Sequence, residues 1–276
     1  MNYKFLLASD MDYTFLLPSG EVSKANREAL LELRDNGIAF TFATGRTHFL
    51  VSKYVFDLGI EVPVICSNGG EIFDYKKRKS VFSADFSDKK SRELLKLFFE
   101  NNIDFTAYNS DAVYFSPRSS RLDFFLKYNE GLSEDEKAVL RNFDADILKS
   151  EELPGFNKFL MIESPDDFSS QIYNDSELEV VSSAKGFDDV MVKGSTKGNA
   201  LHALAKHMGI PDSHVFAIGD NDNDYSMFDK PFNGIAMGNA TPILFDVAKY
   251  VTSSCEEDGF AKACHDFIIP LARSMS

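Results

Sequence analysis

A chain of 276 residues with 44% hydrophobic and 26% charged residues has the composition of a folded protein, well outside the disordered class. The net charge of −14 argues against nucleic acid or an anionic membrane as partner, and no apolar run reaches the length of a membrane span. The N-terminus, MNYKFLLASD, turns acidic too early for a secretory signal, and three sparse cysteines, Cys66, Cys255 and Cys264, suit reduced thiols rather than a disulfide framework, so a cytoplasmic location is expected.

In chain order, short apolar runs alternate with amphipathic stretches. YKFLLAS reads as a strand, and SKANREALLELRDNG reads as a helix with Ser23 as its N-cap and Gly37 placed to end it after Asn36. IAFTFATG is a second strand, THFLVSKYVFDLG a second helix, and VPVICSNGG a third strand running into a glycine loop. The rhythm returns late, with TKGNALHALAKHMG helical, HVFAIGD a strand, NDYSMFDK a helix, and NGIAMG and KYVTSS strands. This alternation predicts an α/β fold with a parallel sheet and crossover helices. Between the two blocks the pattern mixes the helix SDKKSRELLKLFFENN with the strands IDFTAYN, DAVYFS, FNKFLMIE and ELEVVSS, which suits an inserted α+β domain. The expected division is a core of 1–83 and 186–276 and an insert of 84–185.

In doubly wound sheets the ligand sits outside the carboxyl ends of the strands, so the residues at those ends carry the chemistry. The first strand ends on two carboxylates, Asp10 and Asp12, followed by Thr14; the second ends in FATGR, with Thr44 and Gly45. KGSTKGNAL contributes Lys197, and AIGDNDND contributes Asp220, Asp222, Asn223 and Asp224. An isolated pair of aspartates more often begins a turn, but a buried strand leading into them and three further polar strand ends favour one convergent cleft. Converging carboxylates without His or thiolate imply a hard cation, and Mg2+ favours one or two carboxylates, waters and a substrate phosphate. Lys197, Thr44 and the backbone amides near Gly45 suit the remaining phosphate oxygens, which together describe phosphoryl transfer. In such chemistry Asp10 can act as nucleophile, with a carboxylate two residues on serving as acid and base.

These four stretches, in this order, resemble the motifs of the haloacid dehalogenase superfamily, most of all its Cof-type phosphatases with a subclass IIB cap. The resemblance runs through VSKANREALLELRDNGIAFTFATGR, SNGGEIFD, STKGNALHALAKHMGI, AIGDNDNDYSMF and GIAMGNATPILFDVAKYVTSSCEEDGFAKA. It implies a Rossmann-like core with a cap inserted between the second and third motifs, and a phosphomonoester hydrolase acting on sugar phosphates or similar small phosphorylated metabolites. It further implies Asp10 as nucleophile and Mg2+ ligand, Asp12 as general acid and base lending its backbone carbonyl to the metal, and Asp220 as third ligand. Thr44 and the amides at Met11 and Gly45 would hold the transferring group, Lys197 would neutralise it, Asn223 would contact phosphate, and Asp224 would orient Lys197 or a metal-bound water.

One position departs from the pattern. The family usually has glycine where this chain has Tyr13, so the backbone there is expected to avoid a conformation open only to glycine, with the phenol free to project towards the cap or the substrate. In the insert, Arg118 and Arg121 are candidate contacts for an anionic or hydroxylated leaving group, and Asn68 is placed on the cap side. A sugar phosphomutase using the same aspartyl-phosphate, and a non-enzymatic phosphoacceptor resembling a signalling receiver, are the alternatives.

Overall fold

The computed structural model describes residues 3–117, 119–134, 136–143 and 145–275, and the chain divides into two units. The first takes in the chain up to Thr44, Tyr54–Val81 and everything from Thr196 onward; the second takes in Gly45–Lys53 and Phe82–Ser195. Among the described residues no helix is long and apolar enough to cross a membrane. Arg118 lies outside the described residues.

The first unit is built on five parallel strands in the order Tyr250–Val251, Asn233–Ala236, Val215–Gly219, Phe5–Ser9, Ile38–Phe42. All five residues of the strand Phe5–Ser9 are buried, as a central parallel strand requires. Alternation along each strand divides the side chains between two faces. Leu6, Ala8, Ala39, Val215 and Ala217 pack with Ala200, Leu201, Leu204 and Ala205 of the helix Lys197–Met208. Phe40 and Phe42, on the opposite face from Ala39, join Phe15 and Phe260 in a cluster of rings with centroids 4.8–5.6 Å apart.

The expected helix after the first strand spans Lys24–Asp35; Ser23 Oγ accepts from the Asn26 amide, and Gly37 follows the Asn36 cap with a φ of +69°. Other elements differ in extent. The stretch THFLVSKYVFDLG is not one helix: a short turn, His48–Leu50, precedes the helix Ser52–Leu58, and residues 45–53 belong to the second unit. The strand expected in KYVTSS keeps only Tyr250–Val251, at the sheet edge.

The second unit carries a six-stranded sheet in the order Leu178–Ala184, Phe187–Val192, Lys158–Ile162, Asp104–Tyr108, Val113–Phe115, Leu140–Asn142, antiparallel except for its last pair. The strand Phe187–Val192 pairs within this sheet, so the unit runs through Ser195 rather than stopping at residue 185. Besides the expected helix, Asp88–Glu100, it holds Leu122–Asn129 and Asp166–Tyr173. One sheet face contributes Phe105, Ala107, Phe159, Met161 and Val190 to an aromatic core with Leu94, Leu95 and Phe98.

Two glycines set where the helix Lys197–Met208 begins. A Cβ on Gly69, which has a φ of +96°, would lie 2.2 Å from the Thr196 carbonyl oxygen, and one on Gly198 would lie 1.7 Å from that of Ser226. Both obstacles are backbone, so neither can rotate away. Gly198→Ala is therefore expected to destabilise the protein by roughly 1–3 kcal/mol or more through forced backbone shifts, read as a lower denaturation midpoint at unchanged m-value.

Candidate active site

The loop that carries Asp10 leaves the strand Phe5–Ser9 in a tight turn: the Met11 carbonyl accepts from the amides of both Phe15, at 3.1 Å, and Leu16, at 2.7 Å. Met11, Phe15 and Leu16 are fully buried, and buried Asn26 donates its side-chain amide to the Phe15 carbonyl at 2.9 Å. This turn places Tyr13 at a φ of +58°, in the left-handed region. The expectation that Tyr13 avoids such backbone is thus overturned, because burial of Phe15 and Leu16 and the double acceptance at Met11 determine the turn. Asn239 holds the result in place, donating Nδ2 to the Tyr13 carbonyl at 3.0 Å.

Across the sheet edge, Asp10, Asp220 and Asp224 present carboxylate oxygens within 4.8 Å of one another, all three residues buried. The strands Phe5–Ser9 and Val215–Gly219 are hydrogen-bonded neighbours, which is why residues so distant in sequence meet here. Lys197, 1% exposed, enters from the first helical position after Thr196 and donates to Asp10 Oδ1 at 2.8 Å and to Asp224 Oδ1 at 2.7 Å. Asp224 Oδ2 accepts the amides of Asp220, at 2.9 Å, and Asn221, at 3.1 Å. Asp224 is fully engaged in holding Lys197 and the turn. Asp220 Oδ1 accepts from Thr14 Oγ1 at 2.6 Å, and its Oδ2 lies 3.4 Å from Asn239 Nδ2.

The electrostatics follow from this crowding. Burial raises the Asp10 carboxyl above its ordinary range, Lys197 opposes the rise, and Asp224 and Asp220 add to it. Burial likewise pushes Asp220 up to about 6, with Asp224 and Asp12 contributing against Thr14 and Lys197. Burial alone would lower Lys197, but the two carboxylates outweigh it and hold the ammonium well above its usual value. Three buried carboxyl groups thus lie beside one ammonium, that of Lys197.

The remaining expected residues fall in two groups. Thr44 is 1% exposed, donates its amide to the Ile65 carbonyl at 3.0 Å and accepts the Asn68 amide at 3.0 Å. Asn68 has a φ of +53°, and its Oδ1 accepts from Asn223 Nδ2 at 3.1 Å. Gly45 is the first residue of the second unit, where its carbonyl accepts Lys158 Nζ at 2.9 Å. Cys66, Cys255 and Cys264 are buried free thiols. Two residues at the carboxylate cluster were given no role by sequence. Thr14 stood within the first motif, where its spacing was the available signal; Asn239 had none, because only the fold brings it to Tyr13 and Asp220.

The family model for haloacid dehalogenase-like hydrolases matches residues 7–264, and the chain belongs to that family. It is an enzyme, a phosphatase of this type. Phosphatase YwpJ of Bacillus subtilis is 30% identical over 93% of this chain and 97% of its own. The 5-amino-6-(5-phospho-D-ribitylamino)uracil phosphatase YwtE of the same organism is 31% identical over 92% and 95%. A solved haloacid dehalogenase-like hydrolase from B. subtilis superposes with a TM-score of 0.80 at 25% identity, covering 95% of this chain and 99% of that one. Hydrolases of this family generally use Mg2+, and an all-carboxylate donor set without His or thiolate fits a hard divalent cation.

Thr14→Val and Asn239→Ala each free one oxygen of Asp220, and each is expected to raise the Mg2+ concentration for half-maximal activity by roughly 10–100-fold, with direct Mg2+ binding by calorimetry weakened in parallel. Tyr13→Gly removes about 1–2 kcal/mol of left-handed strain and adds somewhat less in unfolded-state entropy, so a net stabilisation of about 0.5–1 kcal/mol is expected in denaturant titrations.

Proposed function

We propose that this phosphatase hydrolyses phosphomonoesters of small metabolites, sugar phosphates and compounds of similar size, through an aspartyl-phosphate on Asp10. The observation that carries the reading is the buried Lys197 ammonium held between Asp10 and Asp224 beside Asp220. An ammonium so placed can neutralise a phosphoryl oxygen while leaving Asp10 fixed for in-line attack. The substrate in the name of YwtE, a phosphorylated ribitylaminouracil, supports the size class.

Asp10 and Asp220, with the backbone carbonyl of Asp12, would hold Mg2+, which supplies charge neutralisation at the transferring group. A carboxylate oxygen of Asp10 attacks phosphorus as the ester bond breaks, and Asp12 gives the leaving oxygen its proton. Asp12, now ionised, takes a proton from water as that water attacks the acyl phosphate, releasing phosphate and restoring Asp10. Thr44, with the amides of Met11 and Gly45, orients the phosphoryl oxygens, and Asn223, braced by Asn68, contacts phosphate. Asp224 keeps Lys197 in position.

The test is phosphate release from a panel of phosphomonoesters with Mg2+ and with chelator. Wild type is expected to release phosphate only with Mg2+, and Asp10→Asn to lose at least about 10³-fold in kcat. Retention of activity by Asp10→Asn sinks the aspartyl-phosphate reading. Transfer to a sugar acceptor with little free phosphate would establish the mutase instead.

A further inference from the structure

Among the described residues Tyr13 is the one aromatic at positive φ, at +58°. The left-handed region disfavours any residue with a Cβ and leaves glycine unaffected, so the backbone alone favours glycine here. Packing does not account for the side chain either. Tyr13 is 54% exposed, and among the described residues its ring meets no other ring or cation and its hydroxyl has no hydrogen-bond partner. By contrast, the hydroxyls of Tyr3, Tyr54, Tyr128 and Tyr173 each donate to a protein oxygen at 2.8–3.1 Å.

The loop that carries this ring is fixed to the carboxylate cluster. Thr14, next in the chain, donates Oγ1 to Asp220 Oδ1 at 2.6 Å, and Asn239 Nδ2 reaches both the Tyr13 carbonyl, at 3.0 Å, and Asp220 Oδ2, at 3.4 Å. Asn239 Oδ1 in turn accepts the Cys255 amide at 2.9 Å. All of these residues belong to the first unit, so the place of Tyr13 beside the cluster does not depend on the second. On its other side Tyr13 follows Asp12, which in the proposed reaction gives the leaving oxygen its proton. An exposed ring on backbone held in this way is a preorganised apolar platform, on which a flat ring can stack with little further ordering of the protein.

We propose that Tyr13 is a specificity-determining contact of this site, stacking its ring on a flat, unsaturated ring carried by the leaving group of the substrate. The proposal rests on the phosphomonoesterase reading and narrows its substrate class to small esters whose alcohol bears such a ring. It gives a functional cause for a bulky side chain on backbone that favours glycine. The stacking forms when substrate binds, so its effect belongs in KM more than in kcat.

The experiment compares wild type, Tyr13→Phe, Tyr13→Leu and Tyr13→Gly on benzyl phosphate and cyclohexylmethyl phosphate, whose alcohols are alike in size and leaving ability and differ in the flatness of the ring. Glycerol 3-phosphate, which has no ring, corrects for any general loss. Wild type is expected to show a KM for the benzyl ester about three- to tenfold below that for the cyclohexylmethyl ester. Tyr13→Phe keeps the ring and is expected to keep that ratio. Tyr13→Leu, which has bulk without a π face, and Tyr13→Gly are expected to bring it to within about twofold of unity. Tyr13→Gly is expected to do so with a denaturation midpoint at or above that of wild type, a split between stability and binding that a purely structural role does not produce. It carries the test alone if Tyr13→Leu fails to fold. A wild type that hydrolyses glycerol 3-phosphate without preferring the benzyl ester overturns the stacking contact and leaves the phosphatase reading intact. So does a preference that survives in Tyr13→Gly, or one lost as fully in Tyr13→Phe. Failure of wild type to hydrolyse any of these esters with Mg2+ overturns the phosphatase reading and the contact with it.

Discussion

The first unit depends on a buried ammonium. Taking Lys197 out of water costs several kcal/mol, and the attraction of two carboxylates at 2.7–2.8 Å has to offset it. The same contact gives the buried carboxylates of Asp10 and Asp224 a shared cationic partner. Much of the surrounding architecture keeps this arrangement in register. Gly69 and Gly198 allow backbone to approach closely enough for Lys197 to reach in, Thr196 caps its helix, and Asp224 turns its second oxygen to the amides beside Asp220. Stability and the proposed chemistry meet at this point, since in the proposed reaction the group that sits between these carboxylates in the resting fold would also neutralise a phosphoryl oxygen.

Around Asp220 the design is different, because its partners are neutral. Thr14 and Asn239 donate to its two oxygens without cancelling its charge, so the carboxylate is oriented but remains electron-rich, with a pKa drawn up to about 6 by burial and its acidic neighbours. A site of this kind is incomplete in charge and complete in geometry, which is the condition for tight, selective capture of a small hard cation. Asn239 also ties the left-handed Tyr13 backbone to the same carboxylate, so the loop after Asp10 and the turn that carries Asp220 are linked through one side chain.

The second unit divides its labour between the two faces of one sheet. One face is a conventional aromatic core, and the other mixes apolar packing with Lys158, Asp189 and Arg121. Buried polar groups on a sheet face are costly unless they meet partners. Lys158 and Asp189 meet each other; Arg121 meets only rings.

The alternation of strands and helices, the cap at Ser23 and the ordered acidic, hydroxyl and lysine motifs could be read in the sequence, because local periodicity and residue type suffice to specify them. The α/β class and the family followed from those signals. The sequence also marked Tyr13 as a departure, yet it gave the wrong backbone there, since the left-handed turn is imposed by burial of Phe15 and Leu16 and by the grip of Asn239, none of which is local information. The reach of the second unit through Ser195 and its claim on residues 45–53 were likewise decided by strand pairing and packing. Which oxygen of Asp224 meets Lys197, the holding of Asp220 by Thr14 and Asn239, and the lack of a carboxylate partner at Arg121 belong to tertiary structure alone. Sequence determines which groups are available and in what order they occur; only the folded chain determines which are desolvated together, and desolvation sets the strength of every charge interaction described for this protein.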